Sequence, residues 1–379
     1  MDLRPFALER WFARHEFSAR FLLGSSDPQS MPVSELLALE PGAGERLAAT
    51  WLGYTENAGS PELRQAIAAL HEVAGPDDVI VFTGSEEPVF TWLNVALRPG
   101  DHAIVHSPCY QSHAEVARAA GADVTPWTGD PRRGWALDPH ELEKLLRPST
   151  RVLLLTTPHN PTGAHLPRDV WDEVVRICAR RGIWLFADEV YRGLEHDPAA
   201  RLPRAVDVYE RAVSLDGLSK SYGLAGLRLG WLALRDRVLR EKLLAFKDYL
   251  TMCNAAPSET LGAIAVRHTD ALQGRSRARL ARNLALLDAF LARHPDRFAW
   301  TRPRAGSVAF VRLLGGGAED FCDSLVREAG VMLVPSTKFD AGDEHLRFGY
   351  GRANLPEALA ALEAWLGRAT QDTWNARSR

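Results

Sequence analysis

The chain has 379 residues, of which 46% are hydrophobic and 25% are charged, the composition of an ordinary globular protein. Its 45 basic and 48 acidic residues give a net charge of −3, so charge offers no reason to expect a nucleic acid or a membrane as partner. The four cysteines form no C-x-x-C pair, so we expect neither a disulfide framework nor a metal site, and a cytoplasmic location.

Short apolar runs recur between residues 79 and 234, and helical patterns lie between them. Buried strands that alternate with helices are typical of a mostly parallel sheet covered on both faces. The predicted strands are Val79–Phe82, Ala103–Val105, Val152–Leu155, Ile183–Phe186, Ala212–Leu215 and Leu229–Leu234. The predicted helices between them are Glu86–Ala96, His113–Ala120, Pro139–Leu146 and Arg168–Arg180.

The pattern changes after this region. Residues 258–294 are helical in character, and a second set of strands and helices follows, which predicts a smaller α+β domain. Its predicted strands are Phe298–Thr301, Val308–Leu313 and His345–Phe348, and its helices are Ala318–Ala329 and Pro356–Leu366.

The strongest chemical signal is the segment 214–231, in which Lys220 follows a predicted strand between glycines and Arg228 lies eight residues further on. A lysine nucleophile must present a free amine to a carbonyl. An arginine fork suits a phosphate, and glycines let the backbone approach a ligand. Taken alone, the segment also fits a turn with a surface lysine and a structural arginine.

The same segment resembles the S-x-x-K-x-x-x-x-G-x-R-x-G signature of the pyridoxal-5′-phosphate (PLP) aminotransferases of class I and II. The resemblance implies PLP fold type I, an α/β large domain with a mostly parallel seven-stranded sheet, and Lys220 holding PLP as a Schiff base. Gly217 stands where the family usually has a Ser or Thr that donates to the phosphate, so Ser219 or Ser221 is a candidate to replace it.

Two further segments resemble parts of this family. Residues 158–163 match its P-x-N-P-[TS]-G loop, which implies that Asn160 contacts the phenolic oxygen of the cofactor. The second segment is residues 188–191, at the end of a predicted strand. Asp188 would lie against the pyridine nitrogen and keep it protonated, which makes the ring a better electron sink. Tyr191 would donate to the phenolic oxygen. In isolation, a plain turn at Asn160 and a helix cap at Asp188 explain these residues equally well.

The phosphate would lie where the first strand meets a helix, at Gly84, Ser85 and Glu86, because backbone N–H groups and the helix dipole favour an anion there. We expect the backbone at Glu86, not its acidic side chain, to face the cofactor, and simple capping by Ser85 is the alternative. The resemblance also implies that Tyr110 stacks on the cofactor ring.

Three residues are assigned from the remaining family motifs. Tyr54 would reach the phosphate of a neighbouring subunit, which implies a homodimer with shared active sites. Arg347 would grip the substrate α-carboxylate beside Asn160, with Arg352 as a nearby competitor. Ser26 replaces a glycine that is common in the family, so we expect it to contact the substrate.

The predicted function is transfer of an amino group from an L-amino acid to a 2-oxo acid by a ping-pong mechanism, with Lys220, Asp188 and Tyr191 as catalytic residues. Residues 22–28 and 247–251 also resemble the capreomycidine synthase branch, so a lyase, cyclase or oxidase acting on an arginine-derived amino acid remains the alternative. A PLP-binding regulator or a dinucleotide-binding protein is a third hypothesis, although Thr83–Glu87 lacks the G-x-G-x-x-G loop of the latter.

We expect three parts in the chain. Residues 1–40 are predicted to join the small domain, residues 41–280 to form the large PLP-binding domain, and residues 281–379 to form the small C-terminal domain.

Overall fold

A computed structural model describes residues 2–368 and contains a central seven-stranded sheet in the order β1-β7-β6-β5-β4-β2-β3. Only β7 runs against its neighbours β1 and β6. The other adjacent pairs are parallel. The strands are β1 Val79–Thr83, β2 His102–Ser107, β3 Asp123–Thr128, β4 Thr150–Thr156, β5 Trp184–Asp188, β6 Ala212–Gly217 and β7 Leu229–Leu234.

Six of these strands are predicted from the sequence, and β3 is missing from the prediction. Most of its residues are at least partly exposed, it contains Pro126, and it pairs only with β2 at the edge of the sheet. An edge strand of this kind carries no apolar run, so its sequence resembles a loop.

Helices cover both faces of the sheet. Ile80 and Phe82 pack on Trp92 of one helix layer, whereas Val79 and Val81 pack in a separate core with Ile264. Successive strand residues therefore bury their side chains on opposite faces. The helices of the large domain are α2 Val33–Leu37, α3 Ala43–Ala48, α4 Pro61–Ala68, α5 Glu86–Ala96, α6 Gln111–Ala119, α7 Pro139–Leu145, α8 Arg168–Arg181, α9 Ala205–Val208, α10 Arg237–Lys247 and α11 Ala256–Arg267.

The smaller antiparallel sheet has the order β10-β11-β9-β8. The predicted helical stretch 258–294 is two helices, because α11 ends before His268 and α12 begins at Thr269. Across residues 2–368, no helix has the length and apolar character needed to cross a membrane. The remaining elements are α1 Ala7–His15, α12 Thr269–Arg293, β8 Phe298–Ala299, β9 Val308–Leu313, α13 Ala318–Ala329, β10 Val334–Pro335, β11 His345–Gly349 and α14 Leu355–Arg368.

The N-terminal segment packs on the smaller sheet. Phe21 forms a bridge with Val331, the N–H of Gly24 donates to the oxygen of Met332 at 2.7 Å, and the Trp11 indole donates to the oxygen of Leu333 at 2.9 Å. We keep the division into 1–40, 41–280 and 281–379 as a proposal. The last boundary falls within α12, and residues 369–379 lie outside the described part of the chain.

Candidate active site

The carboxyl ends of β4, β5 and β6 meet at one edge of the sheet, where ligands of open α/β folds bind. A cavity of about 540 Å³ opens there. Eleven of the thirteen residues predicted from the sequence line it: Ser26, Ser85, Glu86, Tyr110, Asn160, Asp188, Tyr191, Ser219, Lys220, Arg228 and Arg347. Gly84 lies directly beside Arg228, whereas Tyr54 lies outside the cavity.

Lys220 stands in the loop after β6, half-buried at the centre of the cavity. Its Nζ donates to the hydroxyl of Ser26 at 2.9 Å. Ser26 is itself held, because its backbone oxygen accepts a hydrogen bond from the Ser307 hydroxyl. The amine is therefore aimed into the cavity by a polar group from the N-terminal segment.

Asp188 ends β5 and is only 7% exposed. One of its oxygens accepts from the N–H of Val190 at 3.2 Å, and the other lies 3.5 Å from Nε2 of His113. Burial raises the pKa of Asp188 to about 7 and lowers the pKa of His113 to about 4. Since His113 is then neutral near pH 7, no cationic side chain of residues 2–368 contacts the carboxylate, and a protonated ring nitrogen would supply that charge.

Tyr191 and Arg347 are buried and line the same cavity as Asn160. The Tyr191 hydroxyl is buried and finds no hydrogen-bond partner within residues 2–368. Arg347 is 1% exposed; it donates to the Asn160 side-chain oxygen at 3.1 Å and to the backbone oxygen of Gly24 at 2.9 and 3.1 Å. This burial excludes a surface ion pair at Arg347, whereas its competitor Arg352 pairs with Asp27 at 2.9 Å.

The start of α5 forms a cradle for an anion. Gly84 has a φ of +78°, and a Cβ there would lie 2.5 Å from the guanidinium of Arg228. Ser85 occupies the capping position of α5, yet its hydroxyl makes no capping hydrogen bond, so simple capping is the wrong explanation for this residue. The free N–H groups of the first turn and Arg228 together suit a phosphate.

Glu86 and Tyr110 line the same cavity. The Glu86 carboxyl accepts from the Ser112 hydroxyl at 3.1 Å, and burial raises its pKa to about 7. The side chain thus lies at the cavity wall and is held by α6, and the raised pKa lowers the negative charge that it carries near an anion. The Tyr110 hydroxyl donates to Glu9 at 2.6 Å, so the ring is fixed from the N-terminal helix.

Two sets of cavity residues are not predictable from the sequence. His113 is predicted only as the start of a helix, and no local signal places it behind Asp188. Helix α1 and the residues that flank it also line the cavity. They contribute Phe6, Leu8, Glu9, Phe12 and Glu16, together with Asp27 from the following segment. Their role depends on how the N-terminal segment folds back over the large domain, which sequence periodicity does not reveal.

The family model for aminotransferases of class I and II matches residues 20–362. The chain belongs to this family. It is 32% identical to the capreomycidine synthase of Streptomyces vinaceus over 95% of this chain and 93% of that protein. It is 31% identical to the arginine–pyruvate transaminase of Pseudomonas aeruginosa over 82% of this chain and 81% of that protein.

Solved structures of the family agree closely with the fold. A PLP-dependent aminotransferase from Streptococcus suis superposes with a TM-score of 0.91 at 30% identity, covering 97% of this chain and 99% of that one. The PLP-dependent cyclase OrfR superposes with a TM-score of 0.89 at 29% identity, covering 98% and 99%.

Membership in the family implies pyridoxal phosphate as the cofactor, and the cavity fits that group. The buried hydroxyls of Tyr191 and Ser85 have no hydrogen-bond partner among the described residues. Buried donors of this kind are expected to bind a ligand. Asp188 contacts no lysine or arginine among residues 2–368, and the start of α5 together with Arg228 offers hydrogen-bond donors to an anion. PLP has a matching group for each of these: its phenolic oxygen for the Tyr191 hydroxyl, its ring nitrogen for Asp188, and its phosphate for Ser85 and the start of α5.

Proposed function

We propose that this protein moves the amino group of an L-amino acid to a 2-oxo acid by a ping-pong mechanism. The observation that carries the proposal is that Lys220, Asp188 and Arg347 line a single cavity with the geometry described above. These residues supply a nucleophilic amine, a buried carboxyl that can hold a protonated ring nitrogen, and a buried guanidinium that can bind a carboxylate.

Bound PLP supplies an electron sink for the pair of electrons left at a substrate carbon when its proton is removed. Lys220 would bind its aldehyde, and Asp188, with His113 behind it, would hold the ring nitrogen. Tyr191 and Asn160 would serve the phenolic oxygen. Gly84, Ser85, Ser219 and Arg228 would hold the phosphate, and Tyr110 would pack on the ring.

The residues of the chain then divide the work. Arg347 binds the α-carboxylate of the amino acid and fixes its orientation, because Gly24 and Asn160 lock the guanidinium in place. Lys220 removes the proton from the substrate Cα as general base and holds it for return, with Ser26 directing its Nζ. Aromatic residues of α1 over the cavity keep water away from these steps.

Initial-rate kinetics with a panel of amino donors and 2-oxo acceptors test the proposal. We expect parallel double-reciprocal lines and formation of one 2-oxo acid per acceptor consumed. Failure of every donor–acceptor pair to exchange an amino group, in protein that retains PLP, would contradict the transfer reaction while leaving cofactor binding intact.

A second candidate is a PLP-dependent cyclase, lyase or oxidase acting on an arginine-derived amino acid. Glu9, Glu16 and Asp27 line the cavity, so the substrate side chain would meet carboxylates. Such a wall favours a cationic side chain over an acidic one. The similarity to a capreomycidine synthase and to a cyclase supports the same reading.

The two candidates differ in their need for an acceptor. Arginine and hydroxylated arginine are incubated with the enzyme with and without pyruvate, and substrate loss, ammonia and oxygen are measured. Turnover that requires pyruvate in a 1:1 ratio supports transfer. Turnover without any acceptor supports the cyclase, lyase or oxidase.

We also propose a homodimer that shares its active sites, in a cytoplasmic location consistent with four free cysteines. Tyr54 is 88% exposed and sits beside exposed Trp51 and Leu52. The hydroxyl of Thr55 donates to the backbone oxygen of Asn254 at 2.9 Å, and the Asn57 side chain donates to Asp248, next to exposed Tyr249. Large exposed apolar side chains grouped in this way are typical of a protein–protein interface.

Hybrid complementation tests the shared site. Inactive Lys220→Ala protein is mixed and refolded with weakly active Tyr54→Ala protein. If Tyr54 serves the site of a second copy, mixed dimers regain one intact site and activity rises above that of either variant. No rise, or a monomer by light scattering, would contradict the shared site.

A further inference from the structure

A side chain at position 217, three residues before Lys220, would collide with the side chain of Ser85. A Cβ added to Gly217 would lie 2.4 Å from the hydroxyl oxygen of Ser85 and 3.0 Å from the backbone oxygen of Leu229. Real Cβ atoms do not approach an oxygen within 2.4 Å. The side chain of Ser85 therefore occupies the space that a side chain at position 217 would need.

The Ser85 hydroxyl is buried and has no hydrogen-bond partner in the described part of the chain. A serine at the start of a helix normally accepts from an N–H of the first turn, and this one does not. A buried hydroxyl without a partner costs free energy, so an unused donor is expected to face something that binds there. Ser85 lines the active-site cavity together with Arg228.

Nearby glycines leave space around the Ser85 hydroxyl and the Arg228 guanidinium. A Cβ at Gly230 would lie 2.8 Å from the Ser85 oxygen, and a Cβ at Gly84 would meet the Arg228 guanidinium. Hydroxyl, guanidinium and the free N–H groups of α5 thus converge on one side of the cavity. That set of donors matches a phosphate monoester.

We infer that the Ser85 hydroxyl donates to the cofactor phosphate in place of the missing side chain at position 217, and that Gly217 is required because Ser85 is present. The inference rests on the proposed cofactor site. It also decides among the serines near Lys220. Ser221 is fully buried and already accepts from Gln273 at 3.4 Å, which leaves Ser219 as the competitor.

The test is to remove the cofactor from the protein and to titrate PLP back while fluorescence reports binding. The same titration with pyridoxal, which lacks the phosphate, is the comparison. Ser85→Ala should weaken PLP binding about tenfold, the effect of one lost hydrogen bond to a charged group. Binding of pyridoxal should change less than about twofold, because the lost donor faces only the phosphate. Ser219→Ala should weaken PLP less than Ser85→Ala does.

The paired substitution makes the test specific. Gly217→Ser alone should weaken PLP and lower the melting temperature, because its Cβ meets the Ser85 oxygen. In the double variant Ser85→Ala/Gly217→Ser, the space is free and a hydroxyl returns, so PLP affinity should exceed that of Ser85→Ala. If Gly217→Ser fails to fold, Ser85→Ala and the double variant still decide the question.

Three results would overturn the inference: unchanged PLP affinity in Ser85→Ala, an equal loss for pyridoxal, or a double variant that binds no better than Ser85→Ala. Wild-type protein that binds no PLP at all would instead overturn the proposed cofactor site and the inference together.

Discussion

The floor and the mouth of the cavity are built differently. The floor consists of residues at the ends of parallel strands, such as Asn160, Asp188 and Lys220, placed by the large sheet. The mouth consists of α1 and the segment after it, where the side chain of Glu16 is half-buried and its carboxyl has no hydrogen bond or ion pair to any residue within 2–368. The floor therefore suits a fixed cofactor, and the mouth suits the variable side chain of a substrate.

The largest loss of activity is expected from a substitution at the centre of the floor. Lys220→Ala removes both the amine that binds the cofactor and the base at the substrate Cα, so turnover should fall by at least about 10⁴-fold. Single-turnover kinetics with a reactive donor measure this loss. Borohydride reduction followed by mass spectrometry should label Lys220 in the wild-type protein.

A matched control for this substitution is Lys242→Ala, because Lys242 is exposed on α10. It should keep full activity and the same melting temperature. Labelling of another lysine, or loss of activity in the control, would argue against the assignment of Lys220.

The next effect concerns the buried carboxylate. Asp188→Asn removes the charge that would hold a protonated ring nitrogen, and turnover should fall about 100- to 1,000-fold because the ring becomes a weaker electron sink. The measurement is kcat with PLP at saturation, so that weaker cofactor binding does not enter the result.

The same substitution has a pH signature in protein without cofactor. The folded chain keeps a proton on Asp188 up to about pH 7, whereas the unfolded chain releases it near pH 3.8. Raising the pH from 4 to 7 therefore lowers the stability of the wild type through this group, and the loss levels off above pH 7. The melting temperature of Asp188→Asn relative to the wild type should rise across this range. A flat difference would contradict the buried, unpaired carboxyl.

The contrast between floor and mouth also explains what the sequence could predict. Lys220, Asp188 and Asn160 follow short apolar strands, so local patterns placed them at one edge of the sheet before any contact was known. The edge strand β3 was missed because its exposed residues resemble a loop. His113, Glu9 and Glu16 were missed because their role arises from packing between distant segments, which leaves no local pattern.

The smallest effect tests the mouth. Glu16→Gln removes a negative charge and keeps the size of the side chain, so kcat/KM for arginine should fall about fivefold, as for a partly exposed charge pair. Citrulline has the same shape without the charge, and its kcat/KM should stay unchanged. Glu45→Gln, on the exposed surface of α3, is the control for a general change in net charge.

Lowering the pH should have the same effect on the wild type as this substitution, because it protonates the Glu16 carboxyl. Burial raises the pKa of the Glu16 carboxyl, and the neighbouring Asp27 raises it further, so lowering the pH neutralises Glu16 before an ordinary surface glutamate. The ratio of kcat/KM for arginine to that for citrulline should shrink between pH 8 and 5.5 in the wild type and much less in Glu16→Gln. If Glu16→Gln lowers kcat/KM equally for arginine and citrulline, Glu16 supports the structure of α1 and does not recognise the charge of the substrate. The assignment of Glu16 to substrate recognition at the mouth would then be wrong.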